Sequence, residues 1–294
     1  LEEPLPETPS PYAEEGTRAH ELAARCLLEG LDADHPALAG WPVEMRGPVQ
    51  SYLDAVRAEP GARKVEHRVD FSPWVPGGFG TGDCIVLRDG EASLWDYKHG
   101  QGVRVEAERN SQLMLYALGA HQDYGHLYDV TAWTLHIVQP RLDHHAHWRV
   151  TTAELLTWGE AVRGAAERAL QDDAPLVPGA AQCRFCRAQA LCRARAERNL
   201  ATAREEFGRA YPAPETLSVA DLAALLSQLD EIEQWAKDVR GYALEQAERG
   251  VDLPRWKLVE GRAVRRWTEE APAVLRAAGL SDDQLYPREL LPLG

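Results

Sequence analysis

The spacing of apolar residues along the chain switches between the two-residue period of strands and the three-to-four-residue period of helices. From Thr17 to about Leu28, Ala19, Leu22, Ala23 and Cys26 share one helical face, after a proline-rich and irregular lead-in, LEEPLPETPSPY. Residues 32 to 49 read as loop, with a short helix from Gly47 to Glu59 overlapping their end, and RKVEHRVDF alternates as a strand. Two short apolar strands around Asp89-Gly90 follow, then a helix from about Val105 to His121 and a strand, DVTAWTLHIVQP, stopped by Pro140. HWRVTT reads as one more strand and Thr152 to Gln171 as a helix. Near Ser218 the pattern becomes one long amphipathic helix, with a capping-box start at Ser218 and Asp221 and a glycine stop at Gly250.

The hairpin fixes a register. Asp-Gly between strand-like runs signals a two-residue turn, so Arg88 faces Glu91 and, counting outward, Asp83 faces Asp96 in a non-hydrogen-bonded pair. Alternation puts Asp83, Ile85 and Leu87 on one face with Ala92, Leu94, Asp96 and Lys98, while Cys84, Val86, Trp95 and Tyr97 face the other way. Both faces are largely apolar, as in a sheet covered by helices on both sides. Two carboxylates set opposite each other are destabilising unless a cation lies between them, and hard oxygen ligands suit Mg²⁺ or Mn²⁺. Lys98 could then reach a phosphate or the attacking water; the plainer alternative is that both aspartates end strands and Lys98 pairs with one of them. Glu66, in the preceding strand, is a further acid that a solvated strand face explains equally well.

Composition narrows the field. The 294 residues, 45% hydrophobic, suffice for a full core in one large domain or two, and no apolar run approaches the roughly 18 residues of a membrane span. A net charge of −14 argues against coating nucleic acid nonspecifically, though not against a local basic site. Five cysteines, three of them crowded between Cys183 and Cys192, point to metal ligation in a reducing, cytoplasmic compartment rather than to a disulfide framework.

Four motifs in order carry a family resemblance: GTRAH (Gly16 to His20), Gly82-Asp83, DYK (Asp96 to Lys98) and QLMLY (Gln112 to Tyr116). Over about residues 12 to 200 the chain resembles the PD-(D/E)xK nuclease superfamily, specifically its RecB-like branch, and the tail RWKLVEGRAVRRW (Arg255 to Trp267) is similar to a phage- and prophage-encoded subgroup. The resemblance implies a restriction-endonuclease-like α/β fold, a mixed sheet core flanked by helices. It implies catalysis by Asp83, Asp96, Lys98 and His20, with His20, Asp83 and Asp96 holding Mg²⁺ or Mn²⁺ and Gln112 and Tyr116 positioning the substrate strand. Cys183, Cys186 and Cys192, spaced C-x2-C-x5-C, would join one distant N-terminal cysteine in a [4Fe–4S] staple. That fourth ligand is Cys26 or a cysteine upstream of Leu1, where the chain is expected to lack its true start. Structural zinc is the alternative cofactor.

The expected domains are a RecB-like nuclease domain, 1–211, including the cysteine cluster, and a mainly helical C-terminal extension, 212–294, with a short strand segment. Arg184, Arg187, Arg193, Arg195 and Arg198, opposed within their segment by Glu197, form a basic patch for a phosphate backbone or a solvated helix face; Arg262, Arg265 and Arg266 form a second cluster. The expected function is a metal-dependent DNA nuclease, an exonuclease in phage recombination or replication, with DNA and such phage proteins as partners and no membrane. The alternative is a non-catalytic DNA- or protein-binding module with the same fold. A nucleotide-binding loop is excluded, since GGFGTGD lacks the Lys-Ser/Thr ending of a P-loop.

Overall fold

The structure, a computed structural model, describes residues 11–207, 219–260 and 271–285. Its contacts divide the chain into two compact units, Leu1–Pro178 and Gly179–Gly294, so the cysteine segment belongs with the second. The capping box at Ser218 and Asp221, the arginines at 262, 265 and 266, and the lead-in up to residue 10 lie outside the described residues or side chains.

The first unit is mixed α/β. In order it contains α1 (Pro11–Glu29), α2 (Val43–Ala58), β1 (Ala62–Asp70), β2 (Phe79–Arg88), β3 (Glu91–Tyr97), α3 (Ser111–Tyr124), β4 (Ala132–Gln139), β5 (His144–Thr151) and α4 (Thr152–Ala169). The five strands form one sheet in sequence order, antiparallel except for the parallel β3–β4 pair that α3 bridges. The hairpin register is the expected one, from Arg88 opposite Glu91 outward to Cys84 opposite Trp95. Gly90, at φ +82°, supplies the left-handed turn residue.

Alternation sorts the core. Ile85, Leu87, Ala92 and Leu94 pack with Leu113, Ala117 and Leu118 of α3 and Leu155 of α4. Cys84, Val86, Trp95 and Tyr97 pack with Leu22 and Cys26 of α1 and Val49, Tyr52 and Leu53 of α2. Burying each such large aliphatic side chain contributes roughly 1.5–3 kcal/mol, so the two layers hold the central strands from both faces.

Three helix starts differ from the sequence reading. α1 begins at Pro11, since a proline in the first turn has no N–H to lose. α2 begins at Val43 and runs through Pro48, within the stretch from 32 to 49 expected to be loop and ahead of the expected start at Gly47. α3 begins at Ser111, after Asn110 caps the Leu113 N–H at 3.2 Å; before it, the Val105 N–H donates to Gln139 Oε1 at 2.7 Å and is held as an extended segment.

The helices described in the second unit are α5 (Ala180–Cys183), α6 (Arg193–Phe207), α7 (Val219–Glu248), α8 (Ala271–Ala277) and α9 (Asp282–Leu285). Residues 251–260 are turn and coil, so the expected short strand is absent from the described part of that tail. No helix among the described residues is long and apolar enough to cross a membrane.

Candidate functional site

At one end of the sheet both ladders of β2 miss the same residue. β1 pairs Val65 with Cys84 and His67 with Gly82, which sets Glu66 opposite Asp83, yet no ladder pair forms there and Glu66 has φ +47°. On the other side the β2–β3 ladder stops at Cys84–Trp95, one step short of Asp83 and Asp96. Glu66, Asp83 and Asp96 therefore occupy one row across three strands, at a place where the backbone opens.

Side chains fill the opening. Asp83 Oδ2 accepts the Tyr97 backbone N–H at 2.7 Å, and Asp83 Oδ1 lies 3.3 Å from Nδ1 of His20, on α1. Ligand atoms of His20, Glu66 and Asp83 all lie within 4.8 Å of one another. Asp96 is 4% exposed; Lys98 Nζ donates to its Oδ1 at 3.1 Å and stands 2.9 Å from its Oδ2, which has no properly directed hydrogen bond. Lys98 also reaches Gln112 Oε1 at 3.4 Å, and Gln112 Nε2 donates to Tyr116 Oη at 3.2 Å. The two motif residues of α3 are thus linked through Lys98 to the carboxylate row. Gln112 is exposed rather than buried, so its amide remains accessible to a ligand. Tyr116 lies against β2 at Gly80, where a Cβ would come within 2.2 Å of the ring.

The protonation equilibria reflect crowded negative charge. Burial pushes the Asp96 carboxyl up to about 6; Lys98 opposes this and Asp83 adds to it. Burial and Asp83 also raise Glu66, against the pull of His20. For His20 burial acts downward, but its hydrogen bond to Asp83 and the charges of Asp83, Asp96 and Glu66 outweigh it and raise the imidazole above 6.5. The buried Tyr52 hydroxyl, in the same field, has no hydrogen-bond partner among the described residues. The carboxylates of Glu66 and Asp83 and the His20 imidazole form a donor set that fits a hard divalent cation, while the Asp96 carboxylate is paired with Lys98.

Residues the motif reading missed brace this end of the fold. His99, 4% exposed, meets the Tyr97 hydroxyl at 2.8 Å and Glu15 Oε1 at 3.2 Å, and Arg141 donates to Glu15 Oε1 at 2.9 Å. Glu15 sits five residues before His20, so this cluster ties the helix that carries His20 to the end of β3. Its signal lay beside the quoted motifs, in EEGTRAH and DYKHG.

The cysteines separate into two groups. Cys26 and Cys84 are fully buried in the core of the first unit, where burial raises both thiols, Cys84 to about 12, so both stay neutral there. Cys183 and Cys192 are buried and Cys186 half-buried in the second unit, with the Cys186 N–H donating to the Cys183 carbonyl at 3.2 Å. The neighbouring arginines are less open than the segment implied: Arg195 pairs with Asp238 at 2.6 Å and Arg198 with Glu231 at 3.0 Å, both acids on α7.

Over residues 1–294 the chain matches the family described as "Protein of unknown function (DUF2800)", and it belongs to that family. Among solved structures it is similar to "Crystal structure of SSO0001", at 15% identity over 60% of this chain and 85% of that one, with a TM-score of 0.26.

Proposed function

We propose that this member of the DUF2800 family is a Mg²⁺- or Mn²⁺-dependent deoxyribonuclease of the RecB-like PD-(D/E)xK type, a cytoplasmic exonuclease acting on DNA in phage recombination or replication. The observation that carries this reading is the convergence at one sheet end of His20, Asp83, Asp96, Lys98, Gln112 and Tyr116, drawn from α1, β2, β3 and its exit, and α3.

In this reading His20, Asp83 and Asp96 hold the divalent ion, with Glu66 as a further oxygen donor. Such an ion supplies Lewis acidity, easing ionisation of the attacking water and neutralising charge on the scissile phosphate. Lys98 brings a positive charge to the same point, where it stabilises charge developing in the transition state. Gln112 and Tyr116 present an amide and a hydroxyl along the exposed side of the site, where they position the strand by its phosphates or bases. The Glu15–His99–Arg141 cluster holds α1 so that the His20 imidazole stays on Asp83.

Cys183, Cys186 and Cys192, spaced C-x2-C-x5-C, are assigned to a [4Fe–4S] staple on the strength of the family resemblance, with structural zinc as the alternative. Cys26 is not assigned as fourth ligand, since its thiol is a neutral core group.

Incubating purified protein with linear, circular, single-stranded and double-stranded DNA, in Mg²⁺, Mn²⁺ or chelator, tests the reading. The expected result is metal-dependent loss of linear DNA from its ends with circular DNA spared. Intact linear DNA under every metal condition would leave the fold without this activity.

A further inference from the structure

Away from this site, three histidines gather on one face of the β4–β5 pair, at the edge of the sheet. The ladder sets His136 opposite His147, and His145 precedes His147 by two residues, so all three share a face. Nδ1 of His136 and Nε2 of His145 are 3.2 Å apart. The Trp95 indole stacks on the His136 ring with centroids 3.7 Å apart and planes 1° from parallel, which fixes that imidazole from the side of β3. The His147 ring centre lies 5.9 Å from that of His136 and 6.5 Å from that of His145.

We propose that His136, His145 and His147 form a binding site for a borderline transition-metal ion of the Zn²⁺ class. Two nitrogens 3.2 Å apart, each at the usual zinc–imidazole distance of about 2.0–2.1 Å, subtend about 100° at the ion, between octahedral and tetrahedral values. The third ring is exposed and directly across the ladder from His136, so rotation about its side-chain bonds is the movement that would bring it to the same ion. An i, i+2 pair on one strand with one residue opposite provides three donors on one rigid surface, and strand-borne ligands are held more closely than loop-borne ones.

The surroundings choose the class of metal. A neutral imidazole carries one N–H and one lone pair, and the 3.2 Å contact is a hydrogen bond between the two rings, so a tautomer shift at the donating ring turns both facing nitrogens into lone pairs for the ion. The three side chains offer imidazole nitrogens, which favours nitrogen-preferring ions over Mg²⁺, Mn²⁺ or Ca²⁺. Solubility of an edge strand does not explain the cluster, because Lys or Glu would serve an edge better than three imidazoles.

The test is titration of full-length protein with Zn²⁺ by calorimetry and with one equivalent of Cu²⁺ by electron paramagnetic resonance. Expected is one Zn²⁺ site that persists in Cys186→Ser and His20→Gln but weakens at least tenfold in His145→Gln and His147→Gln. The Cu²⁺ spectrum should show imidazole nitrogen couplings that fall in the same two variants. A readout on the unmodified chain guards against folding defects: Zn²⁺ should protect His145 and His147 from acylation by diethyl pyrocarbonate, mapped by mass spectrometry. Unchanged Zn²⁺ affinity in His145→Gln and His147→Gln, or acylation of both residues indifferent to Zn²⁺, would overturn the proposal.

Discussion

Asp83 accepts the backbone N–H of Tyr97 at 2.7 Å, so one carboxylate both ends the β2–β3 ladder and offers its other oxygen to His20. The two roles separate by substitution. Asp83→Ala leaves the buried Tyr97 N–H without its acceptor and should cost about 1–3 kcal/mol in chelator, read from thermal melts. Asp83→Asn keeps an acceptor for Tyr97 and removes repulsion toward Asp96, so it should melt at or above wild type in chelator. It should gain less than wild type when Mn²⁺ is added, since a ligand that binds the folded state stabilises it by mass action. Equal Mn²⁺-induced shifts in wild type and Asp83→Asn would remove Asp83 from the metal site.

Lys98 is half-buried and anchored by ion pairing rather than by core packing. Lys98→Ala should therefore retain the circular dichroism spectrum of the wild type while its cleavage rate falls by about 10²-fold or more, the scale of losing one preorganised charge in an active site. Wild-type turnover in this variant would show that the lysine serves only Asp96.

Gly80 lies against the Tyr116 ring so closely that a methyl group cannot be added without moving one of them. Gly80→Ala should destabilise the first unit by about 1–3 kcal/mol, as overpacking does, and displace Tyr116 from Gln112. Tyr116→Phe is the milder comparison: it removes the Gln112 partner, leaves packing on Phe71 intact, and should weaken DNA binding in chelator with little change in melting temperature. Equal DNA affinity in wild type and Tyr116→Phe would assign the tyrosine to packing.

Stability in acid should report on His136. Burial first, then the neighbouring His145 and His147, lower its folded value to about 3 from the ordinary 6.5. The unfolded chain therefore binds a proton in that interval that the folded chain refuses. The sign follows: the contribution is fully present above pH 6.5 and is lost progressively as pH falls from 6.5 toward 3. In chelator, denaturant midpoints of His136→Gln should decline less steeply over that range than those of wild type. Parallel pH profiles would show that this ring titrates normally.

What the sequence disclosed was what local rules govern. Asp89-Gly90 set the hairpin register, strand alternation sorted Ile85 and Leu94 from Val86 and Trp95, and the spacing of Gln112 and Tyr116 put both on one helical face. Glu66 was visible as a strand acid, but its place beside Asp83 depends on a positive φ that breaks the alternation pattern. The start of α2 lay four residues before the expected Gly47, and Pro48 is accommodated inside the helix. The Glu15–His99–Arg141 cluster and the His136–Trp95 stack join distant segments, and no periodicity within one element announces such contacts.

Cleavage of end-labelled linear duplex DNA by wild type and Asp96→Asn, each in Mn²⁺ and in chelator, bears most directly on the proposed activity. Asp96 is the buried carboxylate paired with Lys98 and assigned to the metal in the proposed reading, and Asn preserves its shape while removing its charge. The account predicts degradation by wild type in Mn²⁺, none in chelator, and a loss of about 10²-fold or more in Asp96→Asn with an unchanged fold. Equal cleavage by both proteins, or cleavage undiminished in chelator, would contradict it.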